Sequence, residues 1–272
     1  MALEFRELRL LTLAGIQDAA RRRIVPALIV VCLVSLMMVN SCTQCSSGAT
    51  IQTQGGLGQL DLALWAGVGV FLVLTFWIIV LAGLLASDHL TATLEDGSAL
   101  LVLARPVSRS SLALSRLFGS LSISLGAGAV LQLGASFFLA VRSDLNPIPA
   151  LFALMATSLS ALSVAAFAMT ISLFFPRIIA FLLILGSVTL ISMLNLISFS
   201  GAELEGVYYV LDRMGPPFVS SVMLALVPWS GQPIPLGLAL ETIARLFVWA
   251  FAGVSSLVFF FRRLELTRLE PL

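Results

Sequence analysis

Residues 62–86 read LALWAGVGVFLVLTFWIIVLAGLLA and, after Ser87, residues 88–116 read DHLTATLEDGSALLVLARPVSRSSLALSR. The first stretch has no charged residue and is longer than the about 20 apolar residues that a helix needs to cross a bilayer. The second stretch is polar and carries acids first, then bases around a proline. Together they predict a membrane-spanning helix followed by a structured loop, on which a membrane protein typically docks a partner.

The apolar pattern recurs along the chain of 272 residues, of which 59% are hydrophobic and 11% are charged. A soluble domain has about 25% charged residues. Because backbone groups cannot stay unpaired in lipid, each apolar run is expected to be helical, and none alternates with the period of two of a barrel strand. The sequence predicts an all-α membrane protein in which residues 1–272 form one transmembrane domain, with six transmembrane helices at 24–41, 62–86, 112–141, 150–174, 178–199 and 235–261.

The arginines predict the orientation, because basic residues concentrate on the cytosolic side of a membrane protein. With six spans, one side receives the arginines before span one, those around the connector at 88–111, that of the turn after span four, and those that close the chain. We therefore expect both termini to be cytosolic. The other side holds Arg142 and Arg213, and Arg245 lies near or inside the last span.

The chain contains no lysine. A phosphate-binding P-loop needs a lysine to reach the nucleotide phosphates, and Schiff-base chemistry needs a lysine amine. The chain by itself is therefore predicted to be neither a P-loop ATPase nor a Schiff-base enzyme. The net charge of +1 and the lack of a basic stripe give no indication of nucleic acid as a partner.

Residues 1–23 mix apolar and charged side chains and end in arginines at 21–23. They lack the apolar core and the small-residue cleavage site of a signal peptide. We expect an interfacial helix on the cytosolic membrane surface, anchored by these arginines. A plain cytosolic extension of span one is the alternative.

The external region at 201–232 is more than a simple loop. A short helix is expected at 208–214, the Gly-Pro-Pro triplet at 215–217 breaks it, and the apolar run at 218–227 is too short to span a bilayer. Trp229 would lie at the headgroup level. Two interpretations stay open: short re-entrant helices that dip into the outer leaflet, or a surface loop whose apolar helix packs on the bundle.

The connector itself predicts a rigid helix–break–helix unit. A short helix at 94–104 would place Glu95 and Asp96 in its first turn, where carboxylates interact favourably with the helix dipole. Pro106 ends it, because the residue before a proline is excluded from helical geometry. Ser108 can then cap span three by accepting from backbone N–H groups. The alternative is an ordinary loop with capping residues.

The connector resembles a known family. The string EDGS at 95–98, the leucine-rich stretch at 100–104 and the string RPVSR at 105–109 resemble the cytosolic signature between spans two and three of ABC-2 type transporter permeases. The resemblance implies that the connector is a coupling helix that sits in a cleft of a cytosolic ATPase subunit. The residues that would make this contact are Glu95, Asp96, Gly97, Leu100, Arg105, Pro106, Ser108 and Arg109.

The layout of the chain is similar to that family as well. The interfacial (elbow) helix, the six spans and the short external helices before span six all have counterparts there. The resemblance implies a multi-pass subunit of a bacterial inner membrane that works beside a second permease copy or a homologous permease, in contact with membrane lipid. ATP and magnesium would be bound by separate ABC ATPase subunits, with no cofactor and no catalytic residue in this chain. Spans one, two and five would line the dimer interface.

Cys42 and Cys45 form a CxxC motif in the first external loop. A tetrahedral zinc site needs four ligands, and the only histidine, His89, is expected on the opposite side. The favoured interpretation is a local disulfide or two free thiols, so no metal site is predicted. Metal or redox chemistry is the alternative, and relatives that serve periplasmic copper-enzyme maturation share the layout.

Glu241 and Arg245 lie four residues apart in the outer part of span six. Ionisable residues inside a span are candidates for function, and this spacing also suits an ion pair on one helix face. We expect the internal pair rather than a contact to substrate.

Four classes of function are compatible with a bundle of this kind. The favoured one is an ATP-driven permease that exports a lipid-like or amphipathic substrate, as suggested by the apolar external segment. A secondary transporter would need charged residues near the midplane and interrupted helices in two related halves, which are not evident. An intramembrane serine protease would need a histidine inside a span. A mechanotransmission or assembly component with the same fold is not separated from the first class by sequence.

Overall fold

The computed structural model describes residues 12–13, 34, 37, 50–51, 60–95, 108–143, 146–199, 205–230 and 233–263. Two short strands in the first predicted external loop pair antiparallel, β1 (Thr50–Ile51) with β2 (Leu60–Asp61), and Thr50 lies opposite Asp61. The rest of the regular structure in these ranges is helical: α1 (Leu62–Glu95), α2 (Arg109–Ser143), α3 (Ile148–Ser172), α4 (Arg177–Phe199), α5 (Gly206–Met214), α6 (Phe218–Leu226) with a 3-10 turn at Val227–Ser230, and α7 (Leu236–Arg263).

Five of these helices are long and apolar enough to cross a membrane: α1, α2, α3, α4 and α7. The count becomes six if the bent pair Gly206–Met214 and Phe218–Trp229, whose axes differ by 65°, is taken as one span. The prediction of a helical, multi-pass membrane protein is confirmed at this level. The predicted span at 24–41 and the interfacial helix at 1–23 lie outside the described residues, apart from isolated helical positions.

Helix α1 continues past the predicted end of span two at residue 86 and ends at Glu95. The segment between Ser87 and Glu95 contains neither glycine nor proline, so nothing in it interrupts the helical hydrogen bonds. Glu95 is therefore the last residue of the long helix instead of a first-turn residue of a separate short one. Helix α2 likewise extends beyond the predicted span and begins at Arg109.

Helix α3 is the centre of the bundle and packs against α1, α2, α6 and α7. Its buried positions are mostly alanine, serine and threonine, and such small side chains let helices approach closely in a membrane. The approach is close at Gly253 of α7, where an added Cβ would lie 3.1 Å from the Cβ of Ala166 and 3.2 Å from the carbonyl oxygen of Ser163. A larger side chain at position 253 would push α7 away from α3.

Helices α4 and α7 are the peripheral members of the bundle. Only 28% of the most apolar stretch of α4 and 22% of that of α7 is buried, against 50% for α1 and for α3. The exposed faces carry large apolar residues, among them Leu182 and Leu190 on α4 and Phe247 and Phe251 on α7. Faces of this kind suit contact with lipid or with another apolar surface.

The two ends of the bundle can be told apart by contacts between distant parts of the chain. At the connector end, where α1 ends and α2 begins, the Nε of Arg262 donates to the Oγ of Ser110 at 3.1 Å. At the opposite far end, the Nε1 of Trp229 donates to the carbonyl oxygen of Asn146 at 2.8 Å. Because α7 finishes at the connector end, it begins at the far end, where α4 also finishes. The bent pair of α5 and α6 therefore starts and finishes at the far end.

Candidate functional site

The described part of the connector region is its base, where α2 begins. The amide nitrogen of Ser111 donates to the Oγ of Ser108 at 3.1 Å, and the two hydroxyls lie 2.7 Å apart. The amide nitrogen of Leu112 donates to the carbonyl oxygen of Ser108 at 3.2 Å. Ser108 is thus the residue that caps α2, and this prediction is confirmed. The cap satisfies an amide that would have no partner in the first turn of the helix.

The connector end also gathers basic residues from two helices. Arg109 at the start of α2 and Arg262 and Arg263 at the end of α7 are exposed. The Arg263 guanidinium lies 4.2 Å from the centre of the Phe259 ring, and Arg262 is held to Ser110 as described above. This end can therefore offer guanidinium groups to carboxylates or to phosphates.

Most of the residues predicted to contact an ATPase fall outside what the structure describes. Of that set, Asp96, Gly97, Leu100, Arg105 and Pro106 lie beyond the described residues, as do Cys42 and Cys45. For Glu95 the structure gives only its place at the end of α1. Ser108 and Arg109 are the members whose side chains are described, and both lie on the exposed surface of the connector end.

At the far end, α7 supplies two side chains that donate to the last carbonyl groups of α5. One terminal nitrogen of Arg245 donates to the carbonyl oxygen of Asp212 and, at 2.6 Å, to that of Gly215. The Nε1 of Trp249 donates to the carbonyl oxygen of Met214 at 2.9 Å. The last carbonyl groups of a helix have no partner within it, so α7 provides the cap that α5 lacks.

Two side-chain pairs complete the attachment of α5. The Nδ2 of Asn195 on α4 donates to an Oδ1 of Asp212 at 2.7 Å. A nitrogen of Arg213 lies 3.2 Å from an oxygen of Glu241 on α7. Glu241 thus forms a salt bridge between two helices, a partner that the expected pair with Arg245 on one face of α7 did not include. Glu241 and Arg245 both lie on the face of α7 that contacts α5. Glu241 finds its partner in Arg213, and Arg245 finds its partners in the carbonyl oxygens described above.

An apolar cavity of about 340 Å³ lies beneath the turn that joins α5 to α6. Helix α3 forms its floor, α4 lies along one side, and Trp249 of α7 lies on the other. The end of α5 and the Gly-Pro-Pro turn at 215–217 cover the top. The lining residues are Ser163, Val164, Phe167, Ile171, Ile184, Ser187, Val188, Ile191, Leu211, Met214, Gly215, Pro216, Phe218 and Trp249.

A separate cluster of polar side chains lies inside the bundle, where α1, α2 and α3 meet. The Nε2 of Gln132, a residue with no exposed surface, donates to the Oγ1 of Thr75 at 3.0 Å and to that of Thr157 at 2.9 Å. The two threonine hydroxyls lie 3.3 Å apart. The Oε1 of Gln132 is buried and has no hydrogen-bond partner among the described residues. The cluster links three helices through hydrogen bonds without any formal charge.

The described residues include no group of three or more His, Cys, Asp or Glu side chains placed to hold a metal ion. That finding does not bear on the CxxC motif, which lies outside them.

No protein-family model matches this chain, and a search of curated proteins finds no match. Sequence reasoning did not find the roles of Asn195, Asp212 and Trp249, and the one signal for them was the presence of polar side chains in otherwise apolar surroundings.

Proposed function

We propose that this chain is the permease subunit of an ATP-driven ABC-2 type transporter that exports a lipid-like or amphipathic substrate. Separate cytosolic ATPase subunits would bind ATP and magnesium, and a second permease, identical or homologous, would complete the membrane part. The observation that carries the proposal is the connector: its residues at 95–109 resemble the family signature, and it joins two long helices at one end of the bundle.

The geometry of the connector suits the transmission of force. Helix α1 spans 34 residues without interruption up to Glu95, and α2 spans 35 residues from Arg109. A body docked between these two ends would move helices that reach through the whole bundle, as in a rigid-body or shear transition. The hydrogen bond from Arg262 to Ser110 links the end of α7 to the start of α2. A displacement of the connector would therefore move three helices, α1, α2 and α7.

In this proposal the connector end faces the cytosol. The exposed arginines Arg109, Arg262 and Arg263 lie there, in agreement with the excess of basic residues on the cytosolic side of membrane proteins. The far end then faces outward, and α5 and α6 are re-entrant helices on the outer side that precede span six. The membrane would be the bacterial inner membrane, with both termini in the cytosol.

Copurification with a cytosolic ABC ATPase subunit from the same cells tests the proposal. Reversal of both acids by Glu95→Arg and Asp96→Arg should lower the recovery of the ATPase, because a coupling helix is held in its cleft partly by charge. The matched control is Glu205→Arg, which reverses an exposed acid at the far end and should leave recovery unchanged. Equal recovery from the double variant and the wild type would remove the coupling assignment.

Cysteine labelling tests the orientation independently of any partner. In a variant whose three native cysteines are replaced by serine, a cysteine at Ser108 should react with a membrane-impermeant maleimide only in inverted vesicles. A cysteine at Glu205 should react only from the outside of intact cells. The reverse pattern would place the connector outside the cell, where no ATPase can reach it.

A component that transmits ATPase motion to other proteins without carrying a substrate would pass both of these tests. A substrate-stimulation assay separates the two possibilities. ATP hydrolysis by the reconstituted complex should rise on addition of amphipathic substrate if the chain is an exporter. Hydrolysis that responds only to a protein partner would favour the mechanotransmission component.

A further inference from the structure

The cavity beneath the turn between α5 and α6 has the size of a binding site. Its volume of about 340 Å³ lies within the range of about 300–1,000 Å³ in which small-molecule pockets fall. The space lies between three spans, α3, α4 and α7, and it is partly open to the surroundings of the bundle, so a ligand can enter it.

The chemistry of the cavity walls suits hydrocarbon. None of the described lining residues is charged, and these walls are mostly aliphatic and aromatic side chains. The hydroxyl of Ser187, one of the few polar lining groups, already donates to the carbonyl oxygen of Ile184 at 2.9 Å. A buried water needs about two to four polar partners, which these walls do not supply.

The charged groups nearest to the cavity are engaged with the protein. Arg245 donates to the carbonyl oxygens at the end of α5, Arg213 pairs with Glu241, and Asp212 accepts from Asn195. These contacts hold α5 as a roof, and none of the three charged side chains is among the residues that line the cavity. The apolar lining therefore disfavours a polar or ionic occupant.

The place of the cavity indicates where its occupant comes from. It lies between α4 and α7, whose outward faces are the most exposed of the five spans. On the roof helix, Tyr208 and Tyr209 are 58% and 56% exposed, and tyrosines of this kind lie at the headgroup level of a bilayer. A lipid with its headgroup beside these tyrosines would have its chain one turn deeper, at Leu211 and Met214, where the cavity begins.

We propose that this cavity binds one acyl chain of a phospholipid from the surrounding bilayer. The chain enters between α4 and α7, lies over Phe167 and Trp249, and is covered by the end of α5. The proposal needs only that the protein spans a membrane, and it stands or falls independently of any ATPase or exported substrate.

The test uses the full chain reconstituted alone into vesicles of phosphatidylethanolamine and phosphatidylglycerol. The probe is a phosphatidylethanolamine that carries a diazirine midway along one acyl chain, activated by light and followed by peptide mapping. Label should concentrate on the peptides that contain Phe167, Ser187 and Trp249, and it should level off as the share of the probe in the vesicles rises. An exposed residue elsewhere on α7, such as Leu240, should receive only weak label that rises in proportion to that share.

Filling the cavity supplies the decisive comparison. Ser187→Phe places a ring in the space and should reduce cavity labelling about tenfold, as expected for a loss of about 1.4 kcal/mol in binding. The matched control Leu182→Phe adds a ring on the exposed face of the same helix and should leave the labelling unchanged. Ile191→Phe fills the cavity from a second position and replaces Ser187→Phe if that variant is not monodisperse.

Two results would overturn the proposal. Labelling spread over the exposed faces of α4 and α7 in proportion to their exposure, and equal in the filled variant, would show that the cavity takes no lipid chain. Absence of cavity label together with a crosslink between two copies of the protein at Trp249 would show that a second subunit occupies the space.

Discussion

Replacing Arg245 with glutamine should release α5 from α7. The Arg245 guanidinium donates to the carbonyl oxygens of Asp212 and Gly215, and glutamine is too short to reach both. A hydrogen bond to a charged group contributes about 1.5–3 kcal/mol. Because Arg245 is only half-buried, the lower end of that range applies, and the two bonds together contribute about 3 kcal/mol.

Amide hydrogen exchange in detergent measures this local effect, because α5 can open without unfolding of the whole bundle. The amides at 210–214 should exchange about 100-fold faster in Arg245→Gln, since each 1.4 kcal/mol is a factor of ten. Amides in the middle of α3 should not change. Arg245→Lys keeps the charge but has no planar fork of donors, so we expect it to rescue only part of the protection.

The neighbouring arginine provides the control. The side chain of Arg213 is 59% exposed and pairs with Glu241, and an exposed salt bridge contributes about 0–1 kcal/mol. Arg213→Gln should therefore accelerate exchange in α5 by no more than about fivefold. If the two glutamine variants accelerate exchange equally, the arginine cap on α5 is not what holds it, and our account of the far end is wrong.

Three further predictions concern the rest of the bundle, each measured as the free energy of unfolding in SDS titrations. Gly253→Leu should lose about 1–3 kcal/mol from overpacking against α3, whereas Ala252→Leu on the exposed side of α7 should lose almost nothing; equal losses would contradict the close approach. Ser108→Ala should lose about 1 kcal/mol with its helix cap, and Ser122→Ala, exposed within the same helix, should not; no difference between them would remove the cap. Gln132→Leu should leave stability unchanged or raise it, because the loss of about 0.6 kcal/mol for each hydrogen bond is offset by removal of an unpartnered carbonyl that costs about 1–3 kcal/mol. Gln132→Ala should lose about 2 kcal/mol or more, because the smaller side chain leaves a cavity. A large loss of stability in the leucine variant would show that the hydrogen bonds dominate.

Predictions that depend on neighbouring residues in the chain agreed well with the structure. The apolar runs from residue 62 onward correspond to helices α1, α2, α3, α4 and α7, and Ser108 caps α2. The break at Gly215 and the prolines after it separates α5 from α6 as their turn chemistry predicts. In each case the decisive physics is local: hydropathy over about 20 residues, or one cap within a single turn.

The end of α1 shows where local reasoning was incomplete. Polar residues after Ala86 suggested that the helix ends with the apolar run, but it continues to Glu95. The residues from Ser87 to Glu95 include neither glycine nor proline, so their polar side chains change what surrounds the helix without interrupting its hydrogen bonds.

The sequence by itself determined that this chain forms helices long and apolar enough to cross a membrane and that α2 starts with a serine cap. The tertiary structure alone decided that Glu241 pairs with Arg213, that Arg245 holds the end of α5, and that a cavity opens between α4 and α7. The physical reason is that hydropathy and capping act between residues close in sequence. The contacts of Arg245, by contrast, join groups 30 and 33 residues apart, and only the packing of α5 against α7 brings them within reach.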